Sequence, residues 1–136
     1  MKEHLYCANH VVNAVLAEKH TLCEIAGITL DTNVILDENC SVESLHLCSI
    51  FSNLLDNALN ACCETSGSVI TLTTLQKGDY LHIKCTNPIP KDGKSGQKSG
   101  YGTRILADIT EKYEGVYNVE DHNDTYCAVI SLLCLK

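Results

Sequence analysis

Residues 45–64, LHLCSIFSNLLDNALNACCE, run without Pro or Gly for about five helical turns. At about 100° per residue, Leu47, Cys48, Phe51, Leu54, Leu55, Ala58, Leu59 and Cys62 fall on one side. His46, Ser49, Asn53, Asp56, Asn57, Asn60 and Glu64 fall on the other, so the stretch predicts a helix with two unlike faces. An earlier amphipathic helix is predicted over residues 4–25, with Leu5, Ala8, Val12, Val15, Leu16, Leu22 and Cys23 at three- and four-residue spacing and Gly27 ending it. Asn9 and Asn13, one turn apart, read there as solvated positions.

The rest of the chain alternates strand and turn signals. Residues 28–36, rich in Thr, Ile, Leu and Val, predict a strand stopped by Asp37, Glu38 and Asn39, after which Ser41 or Glu43 opens the central helix. Ser66-Gly67-Ser68 breaks that helix, and strands over 69–75 and 80–87 flank Lys77-Gly78-Asp79, a hairpin signal. A loop is predicted over 88–102, then a helix to about residue 113, stopped by Gly115. A last hairpin, 116–120 with 126–135, turns at His122-Asn123-Asp124. Its second strand is apolar on both faces and belongs inside the sheet.

The chain of 136 residues, 45% of them hydrophobic, suffices for one domain, 1–136, with a real core. A net charge of -7 argues against nucleic acid as a partner. The absence of an 18-residue apolar run or a basic, apolar leader points away from membrane contact and secretion, towards the cytoplasm. Nine cysteines contain no C-x-x-C pair, and most lie at apolar positions. They read as reduced thiols filling the core rather than as a metal site.

The polar face of the central helix is chemically unusual. Asn competes for the backbone with its short amide and lowers helix stability, so Asn53, Asn57 and Asn60 beside Asp56 suggest a face aimed at a polar ligand rather than at solvent. Amide oxygens suit a hard cation such as Mg²⁺, and amides hydrogen-bond phosphates and sugars. Asn87 ends a strand whose Leu81, Ile83 and Cys85 share its face, so it points inward, toward a backbone partner or an adenine edge. Residues 88–104 carry Lys91, Lys94, Lys98 and Arg104 against Asp92, net +3, leaving -10 elsewhere from the total of -7. A basic lid of this kind suits an anionic ligand, or it is a solvated linker. Gly100-Tyr101-Gly102, opening a helix, would let backbone N–H groups approach phosphate oxygens.

Together, Asn53-Leu54-Leu55-Asp56-Asn57-Ala58, the strand ending in Asn87 and the lid before Gly100-Tyr101-Gly102 resemble the ATP-binding domain that sensor histidine kinases share with gyrase B and MutL. The likeness spans the whole chain, and is nearest to the quorum-sensing peptide-receptor kinases of the GHKL group. It implies an α+β fold of the two-layer Bergerat type: a mixed, mostly antiparallel sheet of about five strands covered by three helices on one face. Carried over position by position, it implies ATP and Mg²⁺ as cofactors, with Asn57 the Mg²⁺ ligand and Asn53 the catalytic residue at the phosphates. Asp56 and Asn60 support the site, Asn87 reads adenine, and Gly100 and Gly102 cradle phosphate beside Lys98, Tyr101, Thr103 and Arg104.

The sequence departs from the family pattern in two places. Asn87-Pro88-Ile89-Pro90 lacks the glycines usual after this strand, and Thr103 replaces a usual Leu. Asn53 also stands where hydrolytic members carry a Glu base, and an amide has no such basicity, so water attack should be slow. Transfer to another acceptor is then favoured, as positioning and Mg²⁺ do most of that catalysis. The resemblance implies a histidine on a separate dimerisation domain of the same receptor as acceptor, and a response regulator as an indirect partner. About 27 residues precede the first strand, too few for that domain, and neither His4 nor His10 suits the acceptor role. The chain is therefore expected to be the cytosolic portion of a membrane-bound receptor, inactive alone. Alternatives are a nucleotide-binding or interaction module without kinase activity, and a Ser/Thr kinase of the anti-sigma type.

Overall fold

Asn9 starts the first helix, its Oδ1 accepting the N–H groups of Val11 and Val12 at 3.1 Å each. An Asn in that position satisfies two donors that an α-helix leaves unpaired, so Asn9 is a cap rather than a solvated residue. In the computed structural model, which describes residues 9–36, 40–62, 67–89, 101–122 and 124–134, this helix is α1, His10–Ile25. The part of the predicted helix before Asn9 lies outside the described residues. Gly27, with φ +74°, ends α1, and the Ile28 N–H returns to the Cys23 carbonyl at 2.8 Å.

β1 (Thr29–Asn33) is shorter than the predicted strand, although Val34 and Leu36 are buried. The reason is Thr74: its hydroxyl accepts the Ile35 N–H at 2.8 Å and donates to the Ile35 carbonyl at 3.0 Å. A side chain thus takes both groups that a ladder would have used.

α2 (Ser44–Cys62) follows, its first hydrogen bond running from the Leu47 N–H to the Glu43 carbonyl at 3.0 Å, so Glu43 and not Ser41 opens it. β2 (Val69–Lys77) and β3 (Tyr80–Pro88) form the predicted hairpin about Gly78, whose φ is +61°. α3 (Tyr101–Lys112), β4 (Val116–His122) and β5 (Thr125–Leu133) complete the chain.

The five strands form one sheet in the order β1-β2-β3-β5-β4. Only β1 with β2 is parallel, and α2 is the crossover such a pair requires. β5 lies between β3 and β4, as expected of a strand apolar on both faces.

Side chains at alternate positions of the strands meet the helices. Leu72, Ile83, Ile130 and Leu132 pack with Leu16 of α1, Phe51 and Leu55 of α2 and Leu106 of α3 in one continuous core. Ile50 and Ala61 join the buried side of α2, while Cys48 and Leu59 are only half-buried. Tyr113 ties the end of α3 to the start of α2: its hydroxyl accepts the Glu43 N–H at 3.1 Å and lies 2.6 Å from His46 Nδ1.

The expectation of reduced core thiols holds for Cys23, Cys85 and Cys127, which are buried and free, while Cys62 is buried and Cys48 half-buried. It fails for Cys40 and Cys134, which pair as a disulfide with Cα atoms 5.7 Å apart. The segment entering α2 and the end of β5 bring them together across a separation of 94 residues, a proximity sequence spacing does not reveal. Cys7 and Cys63 lie outside the described residues.

Candidate functional site

Asn53, Asp56 and Asn57 are half-buried along one side of α2, and Asn60, a turn further on, is exposed. Each carboxamide has a different setting. Asn53 donates from Nδ2 to the Ser49 carbonyl one turn back at 2.7 Å, which leaves Oδ1 facing away from its own helix. That oxygen faces the first turn of α3. A Cβ built on Gly102 would lie 2.6 Å from Asn53 Oδ1, closer than side-chain atoms come. The second glycine of the Gly-x-Gly therefore lets α3 approach the amide of α2.

The N-terminus of α3 exposes N–H groups with no intrahelical partner, and its dipole adds partial positive charge. Asn53 Oδ1 thus sits at a helix end suited to an anion. Tyr101 contributes backbone to that turn, and Arg104 is exposed. Thr103 is half-buried, and its side chain lies beside Tyr117 of β4. Lys98 and Gly100 lie outside the described residues, as does most of the basic lid.

Tyr117 in turn neighbours Tyr126 of β5, and Tyr126 pairs in register with Asn87 of β3. A path of contacts runs from Asn53 through the start of α3 and the two tyrosines to the strand end that carries Asn87. Burial, together with the neighbouring Tyr117 and Asp121, pushes the Tyr126 hydroxyl up to about 12. Burial also raises Tyr117, against the lowering effect of the neighbouring Thr103 and Tyr126.

Asn87 points inward as expected and is 3% exposed. Its Nδ2 donates to the Pro88 carbonyl at 2.9 Å, so a backbone partner takes the amide N–H. Beside it lies an open pocket of about 480 Å³, lined by Gly67, Ser68, Val69, Thr86, Asn87, Pro88 and Thr125. No α2 residue is among those lining it. The structure therefore brings Asn53 to the α3 turn and sets Asn87 at a neighbouring pocket, linked to that turn by the tyrosines.

Asp56 has a partner the sequence reading missed. Lys19 of α1, 6% exposed, places Nζ 2.7 Å from Asp56 Oδ1 and 3.5 Å from Glu18 Oε1. Burial lowers the Lys19 pKa, but the hydrogen bond and charge of Asp56, helped by Glu18, outweigh it and leave the amine above its ordinary value. A signal existed: Lys19 stands seven residues after Val12, three after Leu16 and four before Cys23, in line with the buried side of α1. A charged residue in such a row requires a buried partner. The tyrosine pair had no comparable signal, because β4 and β5 pair Tyr117 with Ile130 and Tyr126 with Asp121, and the two side chains approach each other only in the folded sheet.

The profile of the GHKL domain matches residues 42–132, from just before α2 into β5. The chain belongs to the GHKL domain family. No curated protein matches it. Among solved structures it is similar to the nucleotide-free catalytic domain of the histidine kinase ThkA, with a TM-score of 0.73 at 15% identity over 92% of each chain. It is also similar to the mycobacterial sensor histidine kinase MprB, with a TM-score of 0.69 at 16% identity over 92% of this chain and 94% of that one. Full-length ShkA in complex with AMPPNP gives 0.68 at 14% identity over 93% of this chain and 30% of that one. This GHKL domain therefore has the fold of histidine kinase catalytic domains, the three-helix, five-stranded α+β arrangement expected.

Proposed function

We propose that the chain is the ATP-binding catalytic domain of a sensor histidine kinase, which binds Mg-ATP and passes the γ-phosphate to a histidine on a separate dimerisation domain. The observation that carries this reading is the meeting of Asn53 Oδ1 with Gly102, where the carboxamide side of α2 abuts the N-terminal turn of α3. An anion at that turn would meet unpaired N–H groups, and a cation beside it would find amide oxygen.

Asn57, four residues after Asn53 and half-buried on the same side of α2, is the proposed Mg²⁺ ligand. Its donor set fits: amide oxygen is a hard ligand, and Mg²⁺ in such sites keeps waters and phosphate oxygens around it. Bound there, the ion would neutralise charge on the phosphates. Asn53 positions the phosphates without acting as a base, since an amide does not take a proton. Asn87 would accept from the adenine amino group through Oδ1, its Nδ2 being held by Pro88. Lys98, Gly100 and Arg104 would complete the phosphate side. Transfer to a histidine rather than to water follows from the lack of a base at Asn53.

Within the family, the peptide-receptor subgroup is favoured by the Asn87-Pro88-Ile89-Pro90 run in place of glycines. The partners would be the histidine-bearing domain of the same receptor and, through it, a response regulator in the cytoplasm. Among the described residues no helix is long and apolar enough to cross a membrane.

A second reading, a nucleotide-binding module without phosphoryl transfer, is favoured by one feature. Pro88 stays in register with Thr125 and the Ile89 N–H donates to Asp124 at 2.7 Å, so the chain after Asn87 remains in the sheet where relatives have a glycine turn. Incubating the domain with labelled Mg-ATP and a separately supplied dimerisation domain separates the two. The kinase reading predicts acid-labile phosphate on the histidine, and a domain that binds ATP but transfers none supports the second.

A further inference from the structure

Lys19 is the one charged residue among the buried side chains of α1, and its partner belongs to the proposed nucleotide helix. Asp56 lies one residue before Asn57 and three after Asn53, with its side chain 48% exposed, so the carboxylate borders the face that is to receive phosphates. A free carboxylate there would repel a polyphosphate, in a chain already carrying -7. It would also be a stronger Mg²⁺ ligand than the neighbouring amide, able to draw the ion off the position that Asn57 defines.

The amine of Lys19 reaches Asp56 from the far side, where α1 packs on α2. Resting on the nucleotide-binding reading above, we propose that Lys19 is a positioning residue. It holds the Asp56 carboxylate toward α1 and cancels its charge, so that α2 offers carboxamides and no net negative charge to an anionic ligand. Packing alone would be served by Leu or Met, which fill a buried position without a charge to desolvate. The pair is therefore explained better by what it does to Asp56 than by what it adds to the core.

The test is calorimetric titration with Mg-ATP and, separately, with adenosine, which lacks phosphates. Lys19→Gln removes the charge and keeps a hydrogen-bond donor for Asp56. It should weaken Mg-ATP binding on the order of tenfold and leave adenosine within about twofold. Lys19→Arg should stay within about twofold of the parent for both. Adding Asp56→Asn to Lys19→Gln should recover several-fold of the lost Mg-ATP affinity, because no charge then needs cancelling. Equal losses for Mg-ATP and adenosine, or a double variant as weak as Lys19→Gln, would overturn the proposal in favour of a packing role. A parent that binds adenosine and Mg-ATP equally well also overturns it, whereas a parent that binds neither removes the nucleotide reading itself.

Discussion

Gly102 and Asn53 are in contact across the α2–α3 boundary: a Cβ on the glycine would stand 2.6 Å from the Asn53 Oδ1. The obstructing atom is the end of a side chain, which can move, so Gly102→Ala should fold. Ala also gains about 1 kcal/mol of helix propensity over Gly. Its cost falls on Asn53, which must leave its place at the helix end. The expected result is a melting temperature within a few degrees of the parent and Mg-ATP affinity about tenfold weaker, read by thermal unfolding and titration on one sample. Unchanged affinity would mean that the position of Asn53 does not matter to the ligand.

Gly115 makes the opposite case. A Cβ there would run into the backbone carbonyl of Ser131 on β5, which is fixed in the sheet and cannot turn aside. The left-handed residue in that turn is Glu114, with φ +51°, so Gly115 serves close approach and not unusual dihedrals. Gly115→Ala should destabilise the domain by about 1–3 kcal/mol, measured by urea unfolding. Its effect on nucleotide affinity under native conditions should be small.

Alkali should weaken the fold through buried Cys85 and half-buried Tyr126. Tyr126 is raised from 10.0 to about 12, and Cys85 from 9.0 to about 12, both chiefly by burial. Each is neutral in the folded protein over a range where the unfolded chain would have ionised. Their contribution is complete below pH 9 and is lost as pH rises, from 9 toward 12 for Cys85 and from 10 toward 12 for Tyr126. Phenolate absorbance against pH should show a late-titrating tyrosine that Tyr126→Phe removes.

Thiol accessibility gives an independent check on the core. Without reductant, mass spectrometry after alkylation should recover Cys40 and Cys134 as one linked pair of peptides. Cys85 should be among the last thiols to label, since burial both shields it and suppresses its thiolate.

The elements were legible because their periodicities are strong. The two faces of α2, the hairpin at Gly78 and the all-apolar β5 each follow from residue type and spacing. What the sequence hid depends on distant residues meeting: Thr74 ending β1, Cys40 reaching Cys134, Lys19 reaching Asp56, and Tyr113 reaching Glu43 at the start of α2. The candidate site divides the same way. Asn53, Asn87 and Gly102 could be singled out because an Asn in a helix, an amide on an apolar face and a glycine opening a helix each break a local rule. Tyr117 and Tyr126 break none, and only the folded sheet sets them between Thr103 and the neighbourhood of Asn87.

Calorimetric titration with a non-hydrolysable ATP analogue, with and without Mg²⁺, on the parent and on Asn57→Ala tests the central claim most directly. Binding by the parent that strengthens with Mg²⁺, and loss of that Mg²⁺ dependence in Asn57→Ala, is the predicted result. An Asn57→Ala variant that binds the Mg-nucleotide as tightly as the parent would contradict it.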